Sequence, residues 1–236
     1  MMERIRQILD SGSWGTIGPY SQQAAALLAH QSDAKYALLT HSAGSSLEAL
    51  LRSVGVCHGD RVLVPAHGTR IVTLSPKLTG AQAVTCGHLG RKVSLSDVET
   101  AVHDKPEMKC AVLEYGRADQ LDEIYAFFQA KKIVLILWSG GNLFAEHKDQ
   151  SICRWADAVV YSFAEGSVIY AGNAGALLTN CRKIFEGAFA AHNCGRIPGE
   201  GATLEFNDAI GGNMRITEWQ SAIIFEKLSE RAADKR

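Results

Sequence analysis

The chain has 236 residues, of which 47% are hydrophobic and 21% charged, with 22 Gly and 5 Pro. This composition is typical of a globular domain and excludes fibrous and disordered classes. The chain has 24 Lys and Arg and 25 Asp and Glu, which gives a net charge of -1. This charge offers no electrostatic basis for binding nucleic acid or a membrane surface.

The first residues, MMERIRQILDSGSW, have the pattern of an amphipathic helix and not of a signal peptide. No apolar run approaches the roughly 18 residues of a membrane span, so we expect a cytoplasmic protein. The six cysteines are scattered without a C-x-x-C pair, which predicts reduced thiols and neither a metal site nor a disulfide framework.

Short apolar, β-branched runs then alternate with helical patterns, which is typical of βαβ units and a largely parallel sheet. Seven strands are predicted: Tyr36–Thr40, Arg61–Ala66, Ala81–Cys86, Cys110–Tyr115, Ile133–Trp138, Ala158–Phe163 and Gly175–Thr179. Helices are predicted between them: Ser45–Val54, a stretch near Thr69–Leu78, Leu95–Val102, Leu121–Lys131 and Arg182–His192.

Two helix starts carry capping signals. Ser94-x-x-Asp97 has the form of a capping box, and Asp119 is predicted to cap the helix that follows it. The end of the chain differs, because Ile197–Gly212 is Gly-rich and irregular whereas Ile216–Ala233 is one long amphipathic pattern. Without repeats or linkers, residues 1–236 are expected to form a single domain.

Five segments carry more specific information, in the order LDSGSWGTIGPY, LLTHSAGSSLEALLRSVGVCHGDRVLVPA, VLEYGRADQLDEI, ADAVVYSF and GGNMRITEWQSAII. Together they resemble the DegT/StrS family of sugar aminotransferases that depend on pyridoxal phosphate (PLP). The resemblance implies the large domain of fold type I, a three-layer α/β/α architecture. It also implies a mostly parallel seven-stranded sheet with one antiparallel strand.

The resemblance implies PLP as a possible cofactor and a turn that holds its phosphate. A helix start offers free backbone N–H groups and a positive dipole end to such a group. An ordinary helix N-cap by Ser42 or Ser45 remains the alternative. The residues implied at this turn are Ala43, Gly44 and Ser45.

Two further matches concern single side chains. Ser162 matches the family serine that contacts the phosphate, although an inward-facing strand serine is the plain alternative. Asn213 matches an asparagine that reaches across the dimer to the partner's cofactor, although it could simply cap the last helix.

The chain departs from the family where the chemistry is carried out. A Schiff-base lysine is expected five residues after Ser162, but Ser167 stands there, or Gly166 if one residue is deleted. The chain has no lysine between Lys148 and Lys183. Trp138 stands at the aspartate position that keeps the pyridine nitrogen protonated, and we therefore expect no catalytic residue here.

Two other departures accompany these. Thr69 takes the position of the aromatic ring that stacks on the cofactor, with His67 two residues earlier. The resemblance ends with the long helix that leads into the family's small C-terminal domain, so we expect that domain to be absent.

The favoured hypothesis is an aminotransferase-like pseudoenzyme, a homodimer or a partner subunit of an intact aminotransferase, in sugar or secondary-metabolite biosynthesis. An enzyme of altered chemistry is the alternative, with PLP held non-covalently and a histidine as base, from His41, His67 or His192. A third hypothesis is a domain that binds an unrelated ligand near the turns Gly140–Asn142 and Ala171–Asn173.

Overall fold

The architecture combines eleven strands and eight helices in the part of the chain that the structure describes. A computed structural model covers residues 2–12, 17–198, 204–206 and 211–234. The strands are β1 (Tyr36–Thr40), β2 (Arg61–Pro65), β3 (Gln82–Cys86), β4 (Met108–Glu114), β5 (Val134–Gly140), β6 (Glu146–His147), β7 (Gln150–Ser151), β8 (Ala158–Ser162), β9 (Gly175–Thr179), β10 (Arg196–Pro198) and β11 (Leu204–Phe206).

The helices are distributed along the whole chain. They are α1 (Met2–Ser11), α2 (Pro19–Gln31), α3 (Ala43–Ser53), α4 (Arg70–Leu74), α5 (Leu95–Asp104), α6 (Leu121–Lys131), α7 (Arg182–His192) and α8 (Glu218–Asp234). Within the described ranges, none of these helices is long and apolar enough to cross a membrane.

One seven-stranded sheet lies at the centre, in the order β1-β9-β8-β5-β4-β2-β3. Neighbours from β8 to β3 pair in parallel, whereas β9 is antiparallel to both β8 and β1. The prediction of a mostly parallel sheet with one antiparallel strand is therefore confirmed. All seven predicted strands are present, with ends displaced by at most two residues.

Apolar side chains cover both faces of this sheet. Successive strand residues point to opposite faces, so Ile136 joins the core under α3 and α7, whereas Leu135 joins the core under α2, α6 and α8. Phe128 of α6 is fully buried in the second core, which stabilises the fold by about 3 kcal/mol. Helices on both faces give the expected three-layer α/β/α architecture.

Local chemistry explains where several helices begin. The Ser42 hydroxyl accepts the Ser45 N–H at 3.1 Å and caps α3, which therefore begins at Ala43 and not at the predicted Ser45. The capping box of α5 is confirmed, because the Asp97 carboxylate accepts the Ser94 N–H at 2.9 Å.

Other predictions about elements were wrong or incomplete. Asp119 does not cap α6; Gln120 is the N-cap, and the Asp119 carboxylate lies 3.3 Å from Lys92 Nζ. The predicted helical stretch near 69–78 is present but divided, because α4 is followed directly by a 3-10 helix (Ser75–Thr79) in which Pro76 lacks the backbone N–H that would continue α4. The segment expected to be irregular contains the paired strands β10 and β11, although residues 199–203 and 207–210 lie outside the described residues.

Helix α2 was not predicted at all. Its sequence, PYSQQAAALLAHQ, has four alanines and lacks a clear apolar stripe of helical period. The helix packs against α8 and β1, so tertiary contacts define its buried side.

Candidate functional site

A cavity of about 290 Å³ opens at the carboxyl ends of β4, β5 and β8. This is the edge at which open parallel sheets bind their ligands. The lining residues are Thr69, Glu114, Tyr115, Trp138, Ser139, Gly140, Gly141, Asn142, Ser162, Glu165, Gly166 and Ser167. The structure thus brings together Thr69, Trp138 and the pair Ser162 and Ser167 from three separate segments.

The Glu114 carboxylate organises one wall of the cavity. It accepts the Thr69 N–H at 2.8 Å and the Thr69 hydroxyl at 2.6 Å, and Arg117 Nε lies 3.4 Å away. A Cβ on Gly68 would lie 2.5 Å from a Glu114 oxygen, so a larger residue there would displace the carboxylate. Sequence reasoning missed Glu114, although a carboxylate at the carboxyl end of a buried strand was the available signal.

Trp138 ends the apolar part of β5 and forms another wall. Only 7% of this residue is exposed, and its side chain belongs to the core beneath α3. Its carbonyl accepts the Tyr115 N–H at 2.8 Å. Gly140 has a φ of +58° and would bring a Cβ to 3.1 Å from the indole nitrogen, so the chain turns closely over the ring.

Ser167 closes the turn that follows β8. Its hydroxyl donates to the Ser162 carbonyl at 2.5 Å, while the Ser162 hydroxyl accepts the Ala164 N–H at 3.3 Å. A Cβ on Gly141 would approach Ser167 Oγ to 3.0 Å. Both serines are therefore held by the backbone of their own loop, and Ser167 packs directly against Gly141.

The start of α3 lies beside this cavity without lining it. Strand residue Gly175 pairs with Ser162 on one side and with Thr40 on the other. Strand spacing of about 4.8 Å places Thr40 roughly 10 Å from Ser162. A Cβ on Gly175 would collide with Ala43, so α3 packs directly on the sheet here.

The implied phosphate residues fall in this helix start, with Ala43 buried and Gly44 and Ser45 partly exposed. The Ser45 hydroxyl lies 2.9 Å from Ser42 Oγ and 3.0 Å from Nε2 of His41. The first turn therefore has a side-chain cap, and a phosphate role for these residues stays a prediction.

Asn213 is exposed and does not line the cavity. It forms an antiparallel bridge with Asn193, and it cannot cap α8 because that helix begins five residues later, at Glu218. Its implied role toward a partner subunit stays a prediction.

None of the three candidate histidines lines the cavity. His41 and His67 are exposed, whereas His192 is buried and donates from Nδ1 to the Phe189 carbonyl at 2.6 Å. Burial lowers the pKa of His192 to about 4. The cavity is lined by two carboxylates, Glu114 and Glu165, with no Lys, Arg or His among its lining residues.

Of the two glycine-asparagine turns, only one contributes to the cavity. Gly140–Asn142 line it, whereas Ala171 is buried and its carbonyl accepts from Gln220 Nε2 at 3.2 Å. In the described ranges, no group of His, Cys, Asp and Glu is arranged to hold a metal ion.

Comparison with known proteins shows one family. The profile of the DegT/DnrJ/EryC1/StrS aminotransferase family matches residues 1–235. The chain is 24% identical over 234 residues to GDP-perosamine synthase of Escherichia coli O157:H7, covering 97% of this chain and 62% of that protein. It is 25% identical over 245 residues to an L-glutamine:2-deoxy-scyllo-inosose aminotransferase of Streptomyces lividus, covering 97% and 57%. The chain thus spans about 60% of the length of these relatives.

Solved structures share the fold. The aminotransferase from Psychrobacter cryohalolentis superposes with a TM-score of 0.85 at 19% identity, covering 98% of this chain and 62% of that one. NtdA from Bacillus subtilis, with bound cofactor PMP, gives a TM-score of 0.80 at 19% identity, covering 96% and 51%.

Proposed function

The chain belongs to the DegT/DnrJ/EryC1/StrS aminotransferase family, and we propose that it is a non-catalytic member, an aminotransferase-like pseudoenzyme. A single observation carries the proposal. At the place where the family resemblance implies a Schiff-base lysine, the cavity presents the Ser167 hydroxyl, already engaged by the Ser162 carbonyl at 2.5 Å. A hydroxyl cannot form an imine with an aldehyde, because imine formation requires an amine.

The residues that line the cavity do not fit a covalently held PLP. A lysine amine is missing from the lining, and Trp138 supplies no charge where a carboxylate would keep the pyridine nitrogen protonated. Both charged lining residues, Glu114 and Glu165, are acidic, which disfavours a phosphate dianion nearby. The start of α3 is left as the favourable place for a phosphate, so PLP, if it binds, is held non-covalently.

The proposed role is that of a partner subunit in sugar or secondary-metabolite biosynthesis. The chain would pair with itself or with an intact aminotransferase. Two relatives are named for steps on sugar-like compounds, which supports the sugar pathway. Exposed Asn213 lies in the segment through which, by the family resemblance, one subunit reaches the other's cofactor.

The test is a titration of the purified protein with PLP, followed at 390–430 nm, then borohydride reduction and mass spectrometry. We expect no stoichiometric phosphopyridoxyl-lysine in the native protein. The matched variant Ser167→Lys places an amine in the cavity, and an adduct confined to residue 167 would show that only the amine is missing. A stoichiometric adduct on any native lysine would overturn the proposal.

The partner role has its own test. A tagged copy of the chain, co-expressed with an intact family member from the same cells, should co-purify with it. Asn213→Ala should weaken the partner's PLP retention without changing the amount co-purified. Failure to capture any aminotransferase, together with a monomeric mass, would contradict the partner role while leaving the missing amine unaffected.

A further inference from the structure

A second cavity lies along the outer edge of strand β1, between helices α2 and α7. Its volume is about 280 Å³, close to the lower end of the roughly 300–1,000 Å³ that small-molecule sites occupy. It shares no lining residue with the cavity at Ser167, so the two are separate sites.

Apolar side chains form most of its wall. Ala25 and Ala29 of α2 face Phe185 and Phe189 of α7 across the edge strand residue Leu38. The cavity exists because α2 presents alanines here, and larger aliphatic side chains at these positions would fill it. Apolar walls of this kind favour a ligand with an apolar body.

Two cations line the cavity, Lys35 and Arg215, and no Asp or Glu is among the lining residues. Lys35 precedes β1, whereas Arg215 forms a bridge with Thr40 at the other end of the strand. Five strand residues separate these ends by roughly 16 Å, so one small ligand cannot contact both. Lys35 is exposed to solvent, whereas Arg215 is partly buried.

The Arg215 guanidinium is incompletely paired. Nη1 donates to the Asn193 side-chain oxygen at 2.8 Å, but the buried Nε has no hydrogen-bond partner. Among the described residues, no carboxylate lies within 4 Å of it. Arg215 is only partly buried but has no anionic partner among these residues, and a carboxylate that accepts two N–H groups is the partner that a planar guanidinium favours.

The neighbouring His192 does not provide that anion or a second cation. Its Nδ1–H donates to the Phe189 carbonyl at 2.6 Å, which leaves Nε2 as an acceptor only. Burial lowers its pKa to about 4, so the imidazole is neutral at pH 7. Arg215 therefore sets the charge at the inner part of the cavity.

We infer that the cavity beside β1 binds a small organic carboxylate with an apolar body, whose carboxylate pairs with Arg215 and whose body packs against Phe185 and Phe189. An inorganic anion would leave the apolar walls unused, and a neutral hydrocarbon would leave the guanidinium unpaired.

The probe is 3-phenylpropionate, titrated by calorimetry at pH 7.5 against the full chain. The matched neutral probe is 3-phenylpropanamide, which has the same body and no charge. We expect the acid to bind at one saturable site. The amide should bind at least roughly tenfold more weakly than the acid, because it cannot form the charge-assisted pair with Arg215. Equal affinities, or no binding of the acid, would overturn the inference.

Variants locate the site. Arg215→Gln should lower the affinity for the acid roughly tenfold and leave the affinity for the amide unchanged. Ala25→Leu should abolish binding of both probes, because the larger side chain fills the cavity. Arg91→Gln, an exposed loop arginine beyond β3 at the opposite edge of the sheet, is the matched control and should change neither. Circular dichroism confirms folding. An unchanged acid affinity in folded Arg215→Gln or Ala25→Leu would refute the site.

Discussion

Two buried ionisable side chains, Glu218 and His192, differ in the hydrogen-bond partners that surround them. Glu218 is 1% exposed and is surrounded by backbone donors, whereas His192 is 1% exposed and has a single backbone acceptor. Burial without an anionic partner disfavours the charged imidazole, which is why the pKa of His192 falls to about 4. Stability must therefore depend on pH through this residue.

The direction follows from proton binding. In the unfolded chain a histidine has a pKa of about 6.5, so below that pH the unfolded state binds a proton that the folded state refuses. The contribution of His192 is complete above pH 6.5 and is lost as the pH falls toward 4. We expect the free energy of unfolding to drop by about 1 kcal/mol between pH 7.5 and 5.5, measured by urea denaturation.

The variant His192→Asn retains an N–H donor for the Phe189 carbonyl but cannot be protonated, so this drop should shrink. The control His103→Asn replaces a side chain that is 89% exposed and should preserve it. If the free energy of unfolding of His192→Asn falls as much between pH 7.5 and 5.5 as that of the native protein, the conclusion that His192 is neutral in the folded state is wrong.

At the scale of elements, helix α2 is held at its start by a residue from the far end of the chain. The Glu218 carboxylate accepts the N–H groups of Gly18, Tyr20 and Ser21 at 3.2, 2.9 and 3.0 Å. A carboxylate at a helix N-terminus satisfies orphan donors and complements the helix dipole. Because Glu218 begins α8, this one side chain joins the two helices.

We expect Glu218→Ala to lower the free energy of unfolding by roughly 3 kcal/mol, because three charge-assisted hydrogen bonds are lost and their donors remain partly buried. Urea denaturation measures the change. Glu186→Ala removes an exposed partner of Arg182 one turn away and should cost less than about 0.5 kcal/mol. Equal losses in the two variants would show that the contact between α2 and α8 does not depend on Glu218.

At the scale of the whole molecule, an open groove between α3 and α7 suggests where a second chain binds. It has a volume of about 910 Å³ and is lined by Val56 and by Tyr36, Phe185 and Phe189, three residues that it shares with the cavity beside β1. Aromatic side chains with arginines at the edge, here Arg52 and Arg182, are enriched in protein interfaces.

The mass in solution tests this surface. If the chain pairs with itself, light scattering should give twice the chain mass of 25.5 kDa. Phe185→Glu, in the groove, should shift the mass to that of one chain. Phe127→Glu, a half-buried aromatic of α6 on the other side of the sheet, is the matched control and should leave the mass unchanged. A dimer that withstands Phe185→Glu would place the interface elsewhere.

The local sequence pattern determined the seven strands, because strand formation here depends on the apolar runs that burial in a parallel sheet requires. The single antiparallel strand was implied by the family resemblance. Residues such as Val159 and Leu177 lie in such runs, and they are fully buried as expected. The absence of a lysine near Ser167 and the presence of Trp138 were likewise read directly from the sequence.

Only the tertiary structure decided what distant residues do to one another. Part of the cap of α2 comes from Glu218, roughly 200 residues away, and the local sequence around α2 contains no sign of that contribution. The wall formed by Glu114 and Thr69 and the cavity at Arg215 likewise join segments that are far apart in sequence. Local patterns encode secondary structure, whereas cavities and long-range caps depend on which elements pack together, and that is determined by the fold as a whole.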